Sequence, residues 1–293
     1  MGSNAARRLL LVHAHPDDET ITTGGTIARY ASDPDTHVTL VTCTLGEQGE
    51  VMVPALAGLA AEAADQLGGY RVGELATAMA ALGLRDQRFL GGIGRWRDSG
   101  MTVVDGRPAV PPTLHPRAFC TPADRAEQVD ALAAIMAETR PQVVVGYDPG
   151  GGYGHPDHVR AHEITMAAAA RTPSVRKVYW TVVPRSDLAA GLAELTGADL
   201  PWRLGEPGEL VCVPDETVTT RLDVGRQLPA KLAALRGHAT QLTVWANGER
   251  RAFALTNEIG QPVYREECYV LAAGRQGIPT TPERDLFEGI ETA

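Results

Sequence analysis

The sequence has little of what would mark a secreted, membrane-bound or nucleic-acid-binding chain. Its 293 residues contain four cysteines, Cys43, Cys120, Cys212 and Cys268, far apart and with no CxxC spacing. That pattern supports neither a disulfide framework nor a cysteine zinc site, and Cys43, inside a strand-like run, reads as a small buried hydrophobe. No apolar run approaches the roughly 20 residues needed to cross a bilayer. Only four consecutive aliphatics follow Arg7 and Arg8, too few for a secretory signal, so a cytoplasmic location away from any membrane is expected. Excess positive charge is missing too. The formal net charge is -9 and the pI about 5.4, which argues against nucleic acid or an anionic membrane as partner. The sequence also lacks GxxxxGK[ST], a GxGxxG opening a helix and GxSxG; P-loop, dinucleotide and nucleophile-elbow chemistry therefore find no support.

The chain does have ample core-forming material, at 44% hydrophobic and 22% charged residues, and no low-complexity linker. Residues 9–12 are four consecutive aliphatics, the mark of a strand buried on both faces of a parallel sheet. They lead straight into His13, His15, Asp17, Asp18 and Glu19, with Pro16 breaking the strand. Residues 143–145 form a second such strand, followed by Asp148, a glycine-rich loop with Tyr153, and His155-Pro156-Asp157-His158. Both places read strand, then His-Pro-Asp, then a further metal-ligand type. If the two strands are parallel neighbours, both clusters meet at the carboxyl edge of one sheet, where α/β proteins form ligand crevices.

Around these segments the pattern predicts helices over 20–31, 121–140, from 156 onward and 225–236. It predicts strands over 37–44, 88–90 and 175–183, and an alanine-rich helical stretch over 55–84 interrupted at Gly68-Gly69. Residues 102–120 read as an irregular surface loop of the kind that serves as a lid or substrate contact. The expected architecture is one α/β domain spanning 1–293. Its mostly parallel sheet is flanked by helices over a core of about 8–183, and an extension of about 184–293 packs on it.

His15 and Asp18, three apart across a tight turn, can share one metal ion with His158. Two imidazoles, a carboxylate and an open position for water form a catalytic-zinc arrangement, in which the metal acidifies that water. Ferrous iron suits the same ligands. Asp17, beside a ligand, is then free to act as general base. His155, with Tyr153 nearby, can be protonated and stabilise an oxyanion or donate to a leaving amine. Asp157 can orient a ligand histidine or cap its helix, and the residues leave both open. His13 reads as support behind the ligands; His37, His115 and His162 read as surface or packing residues.

The paired His15-Pro16-Asp17-Asp18-Glu19 and Gly154-His155-Pro156-Asp157-His158 segments resemble the signature of the LmbE-like (PIG-L) zinc-dependent deacetylase superfamily. Residues 67–75, 94–101 and His238-Ala239-Thr240-Gln241 resemble its branch that deacetylates an N-acetylglucosaminyl-inositol in mycothiol biosynthesis. The resemblance implies a Rossmann-like fold, one divalent metal per subunit on His15, Asp18 and His158, Asp17 as base, and His155 with Tyr153 at the oxyanion. It further implies Arg71, Asp98 and Glu50 as contacts to a small sugar–inositol substrate. An amidase of mycothiol S-conjugates and a non-catalytic sugar-binding protein on the same fold are the alternatives.

Overall fold

Leu9, Leu10, Leu11 and Val12 are all fully buried, because successive side chains of a strand point to opposite faces and both faces are covered. Leu9 and Leu11 join Ile27, Leu40 and Leu75 in one core. Leu10 pairs with Val41, Leu132, Val144 and Ile164 in the other. The structure, a computed structural model, describes residues 6–206, 208–277 and 282–290. In chain order the principal elements are β1 (Arg7–His13), α1 (Asp18–Ala31), β2 (Thr36–Thr42), α2 (Leu67–Leu82), β3 (Asp86–Phe89), α3 (Arg125–Thr139) and β4 (Val143–Gly146). They continue as α4 (Pro156–Ala170), β5 (Lys177–Val182), α5 (Arg185–Leu195), β6 (Thr220–Asp223), α6 (Leu228–Gly237) and β7 (Glu266–Ala273).

The central sheet runs β3-β2-β1-β4-β5-β7-β6. The first five strands are parallel, and β7 is antiparallel to both its neighbours. The chain winds outward from β1 to β3, then returns to β4 and winds the other way. The switch point therefore lies between β1 and β4, which pair Leu9 with Val143, Leu10 with Val144 and Leu11 with Val145. Both His-Pro-Asp segments leave the sheet at this point, at its carboxyl edge.

The structure departs from the sequence pattern in three places. The 55–84 stretch is not one interrupted helix. A short 3-10 turn (Pro54–Leu59) is separated from α2 by Asp65 at a φ of 54°, and Gly68-Gly69 falls in the first turn of α2. Residues 102–120 are not all surface loop. They contain a hairpin (Thr102–Val104 with Arg107–Ala109) and end in the fully buried Ala118 and Phe119. The backbone bonds between Arg97 and its partners Arg117 and Phe119 hold that end down. The C-terminal segment does more than pack on the core, since it supplies β6 and β7 of the central sheet. It also forms the whole of a second, four-stranded sheet, which α6 covers through Leu228, Leu232 and Leu235. Among the described residues no helix is long and apolar enough to cross a membrane.

Candidate metal centre and active site

β1 ends at His13 because Pro16 cannot continue a ladder. The chain then turns at Asp17, whose φ of 118° and ψ of -35° are rare for a residue with a Cβ. This turn brings Asp18 back under His15. The His15 amide donates to Asp18 Oδ2 at 2.9 Å, and His15 Nδ1 lies 3.4 Å from the same oxygen. From the other strand, the 148–155 loop wraps the start of α4 and delivers His158. Gly151 (φ +63°) is required there, because a Cβ would lie 2.7 Å from the Cβ of His158.

The hydrogen bonds behind the two rings determine their tautomers. His158 Nδ1 donates to Gly151 O at 3.2 Å, and His15 Nε2 donates to Asp157 Oδ2 at 3.2 Å. In neutral rings this leaves His15 Nδ1 and His158 Nε2 with bare lone pairs, and they face each other at 3.4 Å. Asp18 Oδ2 completes the triangle, 3.3 Å from His158 Nε2. A cation placed among them would meet all three donor atoms at once. The spacing matches a tetrahedral edge of roughly 3.3 Å, expected for metal–ligand bonds of about 2.0–2.1 Å. Burial opposes a charge on His15, yet Asp98, Asp157 and Asp18 raise its pKa well above the usual range. Burial likewise opposes ionisation of Asp18, but His158 and His15 hold its carboxyl well below the usual range. The residues present fit a divalent metal.

Asp157 performs one of its two expected roles. Its carboxylate orients His15 and accepts the Ser99 amide at 2.9 Å. Capping of α4 falls instead to His155, whose Nδ1 accepts the Asp157 amide at 3.1 Å. That bond leaves the His155 proton on Nε2. A protonated His155 is not what the site favours, because burial and then His15 and His158 lower its pKa to about 3. A neutral ring still offers Nε2–H to an oxyanion. A His155 nitrogen lies within 4.8 Å of nitrogens of both His15 and His158. Tyr153 is half exposed, with its ring edge-on to His158 at 5.1 Å.

Asp17 Oδ2 lies 3.1 Å from Arg71 Nη2, and burial lifts its carboxyl to about 6 against the pull of that guanidinium. Arg71 is 2% exposed. Its Nη1 donates to Gly46 O at 2.8 Å and its Nη2 to Pro16 O, so it clamps the two loops that carry the site. Asp98, also buried, accepts the amides of Gln48 and Gly100 and lies 3.5 Å from His15 Nε2. The Glu50 side chain is exposed, while its carbonyl accepts from Gln241 Nε2 at 3.0 Å. His13 supports the centre from behind, bonded to Thr23 at 3.1 Å and edge-on to Tyr147.

The sequence reading missed Tyr147. Its hydroxyl donates to Asp18 Oδ2 at 2.8 Å and accepts the Ala14 amide at 2.9 Å, while its ring stacks on His158 at 4.4 Å. Its place, immediately after β4 on the same rim as the ligands, was the available signal. His37 and His162 are packing residues, bonded to Asp86 and to the Tyr147 carbonyl.

Residues 10–169 match the family described as PIG-L, GlcNAc-PI de-N-acetylase. A protein of Actinosynnema mirum named 1D-myo-inositol 2-acetamido-2-deoxy-alpha-D-glucopyranoside deacetylase is 57% identical over 293 residues, covering 99% of each chain. A Mycobacteroides abscessus protein of the same name is 53% identical, covering 97% of this chain and 99% of its own. A solved deacetylase–teicoplanin complex shares the fold, with a TM-score of 0.52 at 21% identity over 90% of this chain and 98% of that one. With both His-Pro-Asp segments inside the matched region, this chain belongs to the PIG-L family of de-N-acetylases.

Proposed function

We propose that the protein hydrolyses the N-acetyl group of 1-D-myo-inositol 2-acetamido-2-deoxy-α-D-glucopyranoside, giving glucosaminyl-inositol and acetate. The observation that carries this reading is the convergence of three potential metal donors, His15 Nδ1, His158 Nε2 and Asp18 Oδ2, at the switch point. The substrate is taken from the names of relatives more than half identical over nearly the whole chain.

In this reading His15, Asp18 and His158 hold one zinc ion, with ferrous iron the alternative for the same donor set. Bound there, the metal supplies Lewis acidity and lowers the pKa of water. Asp17 accepts the proton of the attacking water. Its carboxyl, lifted to about 6, is basic enough to take a proton and remains largely ionised at neutral pH. His155 donates Nε2–H to the oxygen that gains charge, Tyr153 approaches the same oxygen from its half-exposed position, and the amine leaves after protonation. Arg71 and Asp98 shape the sugar subsite from beneath, and Glu50 reaches the substrate from the rim. The whole chain works as one catalytic unit, in the cytoplasm, in mycothiol biosynthesis.

The test is amine release from the N-acetylglucosaminyl-inositol, measured as prepared, after chelation, and after zinc or ferrous iron is returned. Chelator-sensitive turnover restored by metal is expected. Inert metal-loaded protein that cleaves a mycothiol S-conjugate would transfer the assignment to the amidase. Inactivity on both would leave a sugar-binding protein.

A further inference from the structure

His238 stands 219 residues from Glu19 in the chain, yet its Nε2 donates to Glu19 Oε1 at 3.0 Å, and both side chains are completely buried. The other oxygen, Glu19 Oε2, accepts the backbone N–H of Asp17 at 3.0 Å. Thr20 Oγ1 donates to Oε1 as well. A hydrogen bond to a carboxylate is charge-assisted, and here it is made to a peptide in a sparsely populated conformation. Asp17 holds its φ of 118° between this bond, the Arg71 contact on its side chain, and the Thr20 and Ile21 amides on its carbonyl.

His238 itself is delivered by tertiary packing. It follows Gly237 at the end of α6, where the helix passes so close to α2 that a Cβ on Gly237 would lie 3.2 Å from the Ala78 amide nitrogen. The next turn is tied down in the same place. Thr240 donates its amide and hydroxyl to Glu74 at 2.8 and 2.6 Å, and its carbonyl accepts the Met52 amide. Among the described residues His238 Nδ1 has no partner, so the ring's one strong bond is to Glu19.

We propose that Glu19 and His238 are a positioning pair for Asp17: the α6 end of the C-terminal segment fixes the angle at which the base carboxylate meets the reaction centre. The proposal rests on Asp17 being the base. Neither residue needs to touch the substrate. Without the pair the strained Asp17 peptide can rotate, and a displacement of about 1 Å costs on the order of 100-fold in rate.

The experiment is a double-mutant cycle on the metal-loaded enzyme, with kcat, KM, bound metal and Tm measured for every variant. His238→Ala should lower kcat about 10- to 100-fold while KM and metal content stay near wild type. His238→Gln, which keeps an N–H for Glu19, should recover most of the loss. On an Asp17→Ala background, His238→Ala should cost almost nothing further, because its effect runs through a carboxylate already gone. If His238→Ala does not fold, Glu19→Met enters the same cycle. Two results would overturn the proposal: a full, multiplicative loss on the Asp17→Ala background, or an unchanged kcat in folded His238→Ala beside an impaired Asp17→Ala. A fully active Asp17→Ala would instead remove the base reading and the proposal with it, and that outcome is distinct from both.

Discussion

His15 Nδ1 and His158 Nε2 face each other at 3.4 Å, each ring with its other nitrogen committed to an acceptor. With Asp18 beside them the two nitrogens form a donor set that only the folded chain assembles, so metal should bind the native state and not the unfolded chain. At a free metal concentration one hundred times Kd, the gain is about 2.7 kcal/mol, which should raise Tm by several degrees in a scanning calorimeter. Asp18→Ala and His158→Ala should abolish both the shift and the bound metal found by mass spectrometry. A metal-independent Tm in the wild-type protein would contradict the site.

Asp157 holds the His15 ring through Nε2. Asp157→Asn keeps the shape and an acceptor oxygen but removes the charge that makes the ligand more basic. Metal affinity should fall about 10- to 100-fold, read by competition with a chromogenic chelator, while the fold survives.

Tyr147 joins the two strand ends by accepting from Ala14 and donating to Asp18. Tyr147→Phe keeps the ring on His158 but leaves the buried Ala14 amide unpaired. A loss of about 1–3 kcal/mol is expected in urea denaturation. A variant as stable as wild type would show that this link contributes little.

Glu283 anchors the C-terminal end of the chain. It accepts from Lys177 Nζ, Tyr179 Oη and the Gly277 amide at 2.6, 2.6 and 2.7 Å. Burial opposes its ionisation, but these donors hold its carboxyl below the usual range. A depressed folded-state pKa stabilises above the unfolded value of about 4.3, and that stability is lost as pH falls through the folded value. Glu283→Gln, which strands the buried Lys177 charge, should cost about 3–5 kcal/mol at pH 7. The gap to wild type should close as both are titrated into acid. A gap that stays constant from pH 7 down to pH 3 would exclude the ion pair as its source.

The sequence by itself determined the family and the place of the candidate site in the sheet. Unbroken aliphatics at 9–12 and 143–145 can only be satisfied in a sheet covered on both faces. A proline after each strand puts His15, Asp18 and His158 at the carboxyl edge, which is local backbone logic. That His15 and Asp18 lie three apart, and that Asp17 separates them, is visible without coordinates. What only the tertiary structure decided concerns groups that meet through space. Asp157 serves His15 rather than its own helix because β1 and β4 are neighbours. Arg71 faces Asp17, the Tyr147 hydroxyl lies on Asp18, and His238 sits on Glu19 from the far end of the chain. The segment beyond β5 reads as an addition because its alternation is irregular and broken by Pro201, Pro207 and Pro214, and the strands it adds carry polar residues such as Thr220 and Glu267. Both are buried and find their partners across the fold, Thr220 on Glu283 and Glu267 on Lys231. Periodicity reports which face of an element is apolar, and it is silent about partners that folding brings from two hundred residues away.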